Sequence, residues 1–258
     1  MKSQISIIAC LLTFYCGFPQ LTIKNNDAIM VKGEVLFIKD ALNLSGANSK
    51  IYLRNEAQLV QGDGLSGNSG LGVVSIYQEG TVNQWAYNYW CSPVGNHDID
   101  NTFNTNFLVN LLDDPLLDTN DLTDSNDALF TTGYNGSAEP LTISSHWLYT
   151  FEDYNNDQNS WWHFVGQDNG IKPGLGFTMK GIGTAETGNQ TYDFRGKPNN
   201  GDLFNTVLGG QFTLVGNPYP SALDARAFIH DVHNKTTING TLYFWEQKST
   251  GSHYMVDY

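Results

Sequence analysis

Basic residues are missing from nearly half of this chain. The 258 residues include 13 Lys and Arg against 26 Asp and Glu, and the segment 55–171 contains no Lys or Arg but sixteen acidic residues. Such a surface repels phosphate backbones and anionic lipid headgroups. Nucleic acid and bare anionic membranes are therefore excluded as partners, and divalent cations are favoured.

Cysteine is also scarce. Two of the three cysteines, Cys10 and Cys16, fall in a segment that reads as an export signal, which leaves Cys91 alone in the mature chain. An exported protein with one cysteine has no internal disulfide and must rely on its hydrophobic core. Cys91 could act as a nucleophile beside His97, but a lone cysteine that ends an aromatic strand is more typical of the core.

Catalytic and cofactor motifs are absent. The chain has no G-x-S-x-G, H-E-x-x-H or phosphate-binding P-loop. One G-x-G-x-x-G match, at residues 62–67, runs into a strand rather than the helix that a dinucleotide requires, so it is interpreted as a linker. His230 and His233 lack a third metal ligand. We expect no enzyme within this chain, although a catalytic domain could lie beyond its end.

The first twenty residues have the features of a secretory signal. Lys2 is the only charge, and an apolar stretch follows from residue 5 to residue 18. This run is too short to span a bilayer, and no later segment is apolar enough to do so. We expect export through a secretion machinery to the medium or the outer cell surface, with no transmembrane segment in the mature chain.

An internal repeat dominates the N-terminal region. Residues 29–38 align without gaps on residues 51–60, at an offset of 22. Alternating apolar residues at this period predict successive coils of a parallel β-solenoid, and a pair of antiparallel hairpins is the alternative. The expected organisation is a signal peptide (1–20), a β repeat region (21–62), a Gly/Ser/Asn linker (63–72) and a β-sandwich-like domain (73–258). The sequence stops within a predicted strand, so this last domain is expected to be truncated at its C-terminus.

Short apolar or aromatic runs separated by turns follow the linker. Strands are predicted over 73–77, 84–90, 146–151, 161–165, 176–179, 211–215 and 241–245, with a hairpin turn at Asn239 and Gly240. Short helices are predicted over 107–112 and 222–230, the second capped by Ser221 or Asp224. The fold class is therefore all-β.

Two residue patterns indicate ligands. Oxygen-bearing side chains alternate along one acidic segment, as Ca²⁺ sites require, and the candidate ligands are Asp153, Asn155, Asp157 and Asn159. A solvated turn is the alternative, both here and for the acidic segment 113–127. Adjacent Trp161 and Trp162 must point to opposite faces of a strand, so one of them is at least partly exposed and available to stack on carbohydrate.

Several phrases resemble large surface proteins of gliding Bacteroidota that are exported by the type IX secretion system. They occupy residues 89–95, 173–181, 192–201, 214–224 and 242–247, and the most specific is Val-Gly-Asn-Pro-Tyr-Pro, which begins at Val215. The resemblance implies an uncharacterised cell-surface or secreted β protein with no catalytic residues to carry over. The expected function is a non-catalytic surface or adhesion module that contacts surface glycans or proteins. The alternative is a carbohydrate-binding accessory module of a larger secreted enzyme.

Overall fold

The computed structural model describes residues 21–62, 67–117, 121–152, 161–183 and 187–244. The predicted signal peptide and the four candidate calcium ligands lie outside these residues. The N-terminal region consists of short strands that pair in parallel. These are β1 (Leu21–Ile23), β2 (Ala28–Lys32), β3 (Val35–Ile38), β4 (Leu42–Leu44), β5 (Lys50–Arg54), β6 (Gln58–Gln61) and β7 (Ser69–Gly70).

The parallel pairing confirms the solenoid prediction, and the hairpin alternative is wrong. The strands form three stacks, β1 with β4 and β7, β2 with β5, and β3 with β6. Ile29 pairs with Ile51, at the offset of the sequence repeat. Each coil turns its corner after this strand through a left-handed residue, Gly33 (φ 64°) and then Asn55 (φ 53°). Gly and Asn are the residues that tolerate this conformation best.

The remaining strands belong mainly to a longer antiparallel structure. They are β8 (Val73–Thr81), β9 (Tyr87–Trp90), β10 (Val94–Gly95), β11 (Leu112–Pro115), β12 (Ser125–Asp127), β13 (Leu129–Thr131), β14 (Thr142–Ser144), β15 (Tyr149–Phe151), β16 (Trp162–Phe164), β17 (Phe177–Lys180) and β18 (Asn189–Pro198). One α-helix occurs among the described residues, α1 (Ala225–His230), and Asp224 caps it by accepting from two backbone N–H groups.

One strand joins the solenoid to the rest of the molecule. β8 pairs in parallel with β5 and in antiparallel fashion with β18, which gives a seven-stranded sheet in the order β12-β11-β18-β8-β5-β2, with β10 on β18. The segment predicted as a linker contributes β7 to the solenoid. The division into two domains at residues 63–72 stays a prediction.

A second sheet packs on the first through aromatic rings. Its order is β16-β15-β17-β9. Phe107 lies between the sheets, 5.7 Å from Phe194 of β18 and 6.1 Å from Phe177 of β17, measured between ring centroids. All three rings are buried. The protein is therefore all-β, with solenoid coils followed by a sandwich-like pair of sheets.

Some sequence-based elements are wrong. The longest strand, β18, was not predicted, because Gly196 and the residues after Pro198 are typical of turns. The predicted hairpin around Asn239 is also wrong, since the chain before it forms a 3₁₀ turn (Asn234–Thr236) and residues 241–244 are not in a strand. Residues 211–215 make only isolated bridges. No helix in the described ranges is long and apolar enough to cross a membrane.

Candidate functional site

Aromatic side chains cover the outer face of the four-stranded sheet. Tyr149 lies opposite Phe164 on one side and Thr178 on the other, and Thr178 lies opposite Tyr89. Directly opposed residues share a face of the sheet, and so do residues two apart along a strand. The outer face thus presents six rings, called here the aromatic face: Tyr87, Tyr89, Tyr149, Phe151, Trp162 and Phe164.

Cross-strand ring contacts organise this face at its β16 edge. Phe151 meets Trp162 at 4.8 Å between centroids, and Tyr149 meets Phe164 at 5.4 Å, both in edge-to-face geometry. Trp162 remains 46% exposed and Phe164 57% exposed. Edge-to-face packing holds each ring in place through its neighbour and leaves ring surface open to solvent. On the opposite face of the sheet, Thr150 of β15 and Phe177 of β17 point inward, and both are buried.

Two phenol groups of the face, those of Tyr87 and Tyr89, are uncharged at physiological pH. Burial, with a smaller contribution from Tyr87, raises the pKa of Tyr89 to about 12. Burial also raises the pKa of Tyr87. A neutral phenol both donates and accepts hydrogen bonds. The aromatic face therefore combines apolar ring surface with neutral hydroxyl groups.

A lysine lies on this same face of the sheet, directly opposite Tyr87, and anchors a neighbouring loop. The Lys180 ammonium donates to the Tyr134 carbonyl (3.2 Å) and to Asn135 Oδ1 (3.0 Å). It also lies 5.3 Å from the Trp85 ring and 5.2 Å from the Trp147 ring. Burial lowers its pKa. These contacts give Lys180 a structural role, because its charge is balanced by carbonyl oxygens and ring faces of the same protein.

The structure places the two predicted carbohydrate residues differently. Trp162 lies on the aromatic face, whereas Trp161 is half-buried, and its indole N–H has no partner among the described residues. Phe151, Tyr149 and Phe164 were not predicted as site residues. The signal was present, since aromatic residues alternate at positions 149 and 151 and at positions 162 and 164 in two predicted strands.

A cavity of about 390 Å³ opens beside the aromatic face. Its walls are residues 76–78 of β8, residues 89–91 at the end of β9, and residues 214–217 and 219–221. Tyr89 belongs to both the aromatic face and this wall. Burial raises the pKa of the Cys91 thiol to about 12, so the group is a neutral thiol rather than a nucleophile. His97 instead pairs with Asp98 at 3.5 Å.

A charged network occupies the outer side of the seven-stranded sheet. The Ser75 hydroxyl donates to Asp193 (2.7 Å), and Arg54 lies 3.8 Å from the same carboxylate. Arg195 Nε reaches Asp193 at 2.7 Å and Asp113 at 3.1 Å. Arg54, Ser75 and Asp193 are at most 2% exposed. The network is therefore closed to substrate and ties β5, β8, β11 and β18 together.

Acidic residues of the segment 113–127 that are described make protein contacts. Besides its ion pair with Arg195, Asp113 accepts from Ser125 (2.9 Å), and Asp114 accepts from the backbone N–H of Leu141 (3.1 Å). Within the described ranges, no three His, Cys, Asp or Glu side chains gather as metal ligands. The calcium prediction at Asp153, Asn155, Asp157 and Asn159 stays a prediction.

Comparison with known proteins gives one match. Residues 132–258, slightly less than half of the chain, match a family described as a domain of unknown function (DUF8693). No curated protein and no solved structure matches the chain. The matched segment includes β15 to β18 and so carries Tyr149, Phe151, Trp162 and Phe164, but it excludes the solenoid. The function has to be inferred from the chemistry of the sites.

Proposed function

We propose that this chain is a non-catalytic module of an exported cell-surface or adhesion protein, and that it binds glycans through the aromatic face. The observation that carries the proposal is the row of rings on the outer side of the four-stranded sheet, where Trp162 and Phe164 stay exposed. Exposed apolar patches on soluble proteins mark interaction sites. Burying these rings against a ligand removes apolar surface from water.

Carbohydrate fits this face better than other ligand classes. A pyranose ring has an apolar C–H surface that packs flat on aromatic rings, and its hydroxyl groups can bond to a neutral phenol such as that of Tyr87. The acidic surface of the chain disfavours polyanions, as the composition indicates. The rings are also held by neighbouring rings before a ligand arrives, which lowers the entropic cost of binding.

Export is supported by sequence alone. The segment 1–20 has the charge and apolar pattern of a secretory signal, and the phrases from residue 89 onward resemble surface proteins exported by the type IX system. The same aromatic face would serve an accessory module of a secreted enzyme. An adhesion module and an enzyme accessory module differ in the domains to which they are joined. The sequence of the downstream coding region would therefore distinguish the two roles.

A glycan array followed by calorimetry on the hits tests the proposal. Trp162→Ala should weaken the best ligand about five- to tenfold, because one aromatic stacking contact contributes about 1 kcal/mol. Phe103→Ala is the matched control, since Phe103 is a 77% exposed ring in a different loop. Absence of any glycan ligand, or equal losses in the two variants, would contradict the proposal.

A further inference from the structure

The cavity beside the aromatic face lies at an open strand edge. β8 pairs with β5 only through residues 73–76, and its remaining residues pair with β18 alone among the described strands. The end of β9 and the segment 214–221 close the space on the other sides. We infer that this cavity binds a single neutral sugar unit of the glycan whose neighbouring units lie on the aromatic face. This inference rests on the proposed function.

The described walls of the cavity carry no charged side chain. None of the described lining residues is Asp, Glu, Lys, Arg or His, although the whole chain has a net charge of -13. Burial also raises the pKa of Tyr77, and that of Cys91 is about 12, so both remain neutral. A uronate, sulfate or phosphate would lose its hydration here without gaining a counter-charge, and such desolvation is costly. The lining therefore selects neutral ligands.

Two polar side chains among the residues that line the cavity are available to a ligand. The side-chain amide of Gln78, on β8, forms no hydrogen bond with the described residues, and neither does the hydroxyl of Ser221. An amide and a hydroxyl both donate and accept hydrogen bonds, which matches the sugar hydroxyl. Asn217 is different, because it accepts from the N–H of Tyr219 and donates to the Ser221 carbonyl.

The wall that carries Ser221 is fixed to the solenoid. The backbone N–H of Leu59 donates to the Pro220 carbonyl (2.7 Å), and the backbone N–H of Ala222 donates to Gln58 Oε1 (2.9 Å). Gly216 is packed so closely that a Cβ there would lie 2.4 Å from the Cβ of Cys91. The wall formed by residues 214–221 is thus fixed against both the solenoid and the end of β9, and the cavity is formed before ligand binds.

The size of the cavity and its connection to the aromatic face favour a single sugar unit over an extended peptide as the ligand. The volume of about 390 Å³ lies near the lower end of ligand pockets, which span about 300–1,000 Å³. Segment 214–221 closes the cavity, whereas strand addition needs a long open edge. Tyr89 is shared with the aromatic face. A glycan can therefore place one unit in the cavity and stack adjacent units on the rings.

Calorimetric titration tests the inference with neutral trisaccharides of glucose, galactose and mannose, and with trisaccharides of glucuronate and galacturonate. We expect binding of at least one neutral trisaccharide and none of the uronates. Gln78→Ala and Ser221→Ala should each weaken binding about five- to tenfold, the effect of losing one hydrogen bond of about 1 kcal/mol. Gln190→Ala is the matched control, because this side chain bonds only to the Thr191 carbonyl.

The outcomes separate this inference from the proposed function. If Trp162→Ala weakens binding and both cavity variants do not, the face binds glycan and the cavity inference is wrong. Preferential binding of uronates also overturns it. Binding of neutral extended peptides in place of sugars, or of no sugar at all, overturns both. If Gln78→Ala fails to fold, the Ser221→Ala variant tests the inference by itself. It should fold normally, because the Ser221 hydroxyl makes no hydrogen bond with the described residues.

Discussion

At the scale of single residues, Asp113 is a buried carboxylate whose pKa is raised well above its ordinary value. Its carboxylate shares Arg195 with Asp193, and Asp193 has the shorter contact, 2.7 Å against 3.1 Å. Burial raises the pKa of Asp113 to about 6, with Arg195 and Ser125 opposing this rise and the charges of Asp193 and Asp127 adding to it. The folded protein thus holds this proton more tightly than the unfolded chain does.

The sign of the resulting pH dependence follows from this difference. Since the folded pKa is raised from 3.8 to about 6, the contribution of Asp113 to the free energy of unfolding is fully present below about pH 4 and is lost as pH rises to about 6. At about 1.4 kcal/mol per pKa unit, the loss is on the order of 3 kcal/mol. Asp113→Asn should remove this slope in urea denaturation between pH 4 and pH 7. The control variant Asp98→Asn should keep the pH dependence of the free energy of unfolding, because the Asp98 carboxylate is largely exposed. An identical slope in Asp113→Asn and wild type contradicts the assignment.

Exposure of a tryptophan could be predicted from sequence, and the cavity could not. The sequence predicted Trp161 and Trp162 in one strand with one ring exposed. In the structure the strand begins at Trp162, which is 46% exposed, and Phe151 contacts both rings. The cavity is formed by segments that are distant in the chain. Gln78 and Ser221 have no sequence feature that predicts that both line it. A single sequence contains no signal for that juxtaposition.

At the scale of elements, Asn68 joins the solenoid to the long strand β18. Its side chain accepts from the N–H of Leu42 (2.9 Å), exchanges hydrogen bonds with Gln61 (2.8 Å each), and donates to the Pro198 carbonyl (2.8 Å). It is 4% exposed. A residue expected in a flexible linker therefore satisfies backbone groups of two different sheets.

Asn68→Ala should lower the free energy of unfolding by about 2–3 kcal/mol, because it leaves buried donors and acceptors without partners. The measurement is urea denaturation followed by tryptophan fluorescence. Asn48→Ala provides the comparison, since its exposed amide bonds only to Asn26, and a change below about 0.5 kcal/mol is expected there. Similar stabilities for the two variants would be inconsistent with the linking role.

The repeat was predictable and β18 was not, for different physical reasons. Burial alternates along β2, and Ile51 and Leu53 of β5 lie in the core, so the period of the coils is visible in the sequence even though Tyr52 and Arg54 are buried too. In β18, Gly196 reflects close packing rather than a turn, because a Cβ there would lie 2.2 Å from the Gly95 carbonyl oxygen of the paired strand β10. The sequence alone cannot distinguish a glycine required by a closely packed neighbouring strand from a glycine required by a turn.

At the scale of the whole molecule, the excess of acidic residues predicts a response to calcium. Binding to the native state alone stabilises it, and a weak extracellular site with millimolar ion in excess adds about 1–2 kcal/mol. We expect the melting midpoint to rise in calcium relative to chelator at equal ionic strength. The rise should disappear in the double variant Asp153→Ala and Asp157→Ala. An equal rise in that variant would show general charge screening instead of a site.

The position of β8 between β5 of the solenoid and β18 has a consequence for the order of folding. The solenoid coils are local, but β8 is completed by β18, and Ser75 and Asp193 are 118 positions apart in the chain. Non-local pairing of this kind is slow to form. During synthesis, one edge of β8 stays unpaired until β18 emerges, so the first coils remain exposed at that edge until then. A chain released before residue 189 should aggregate through that edge, whereas the complete chain covers it.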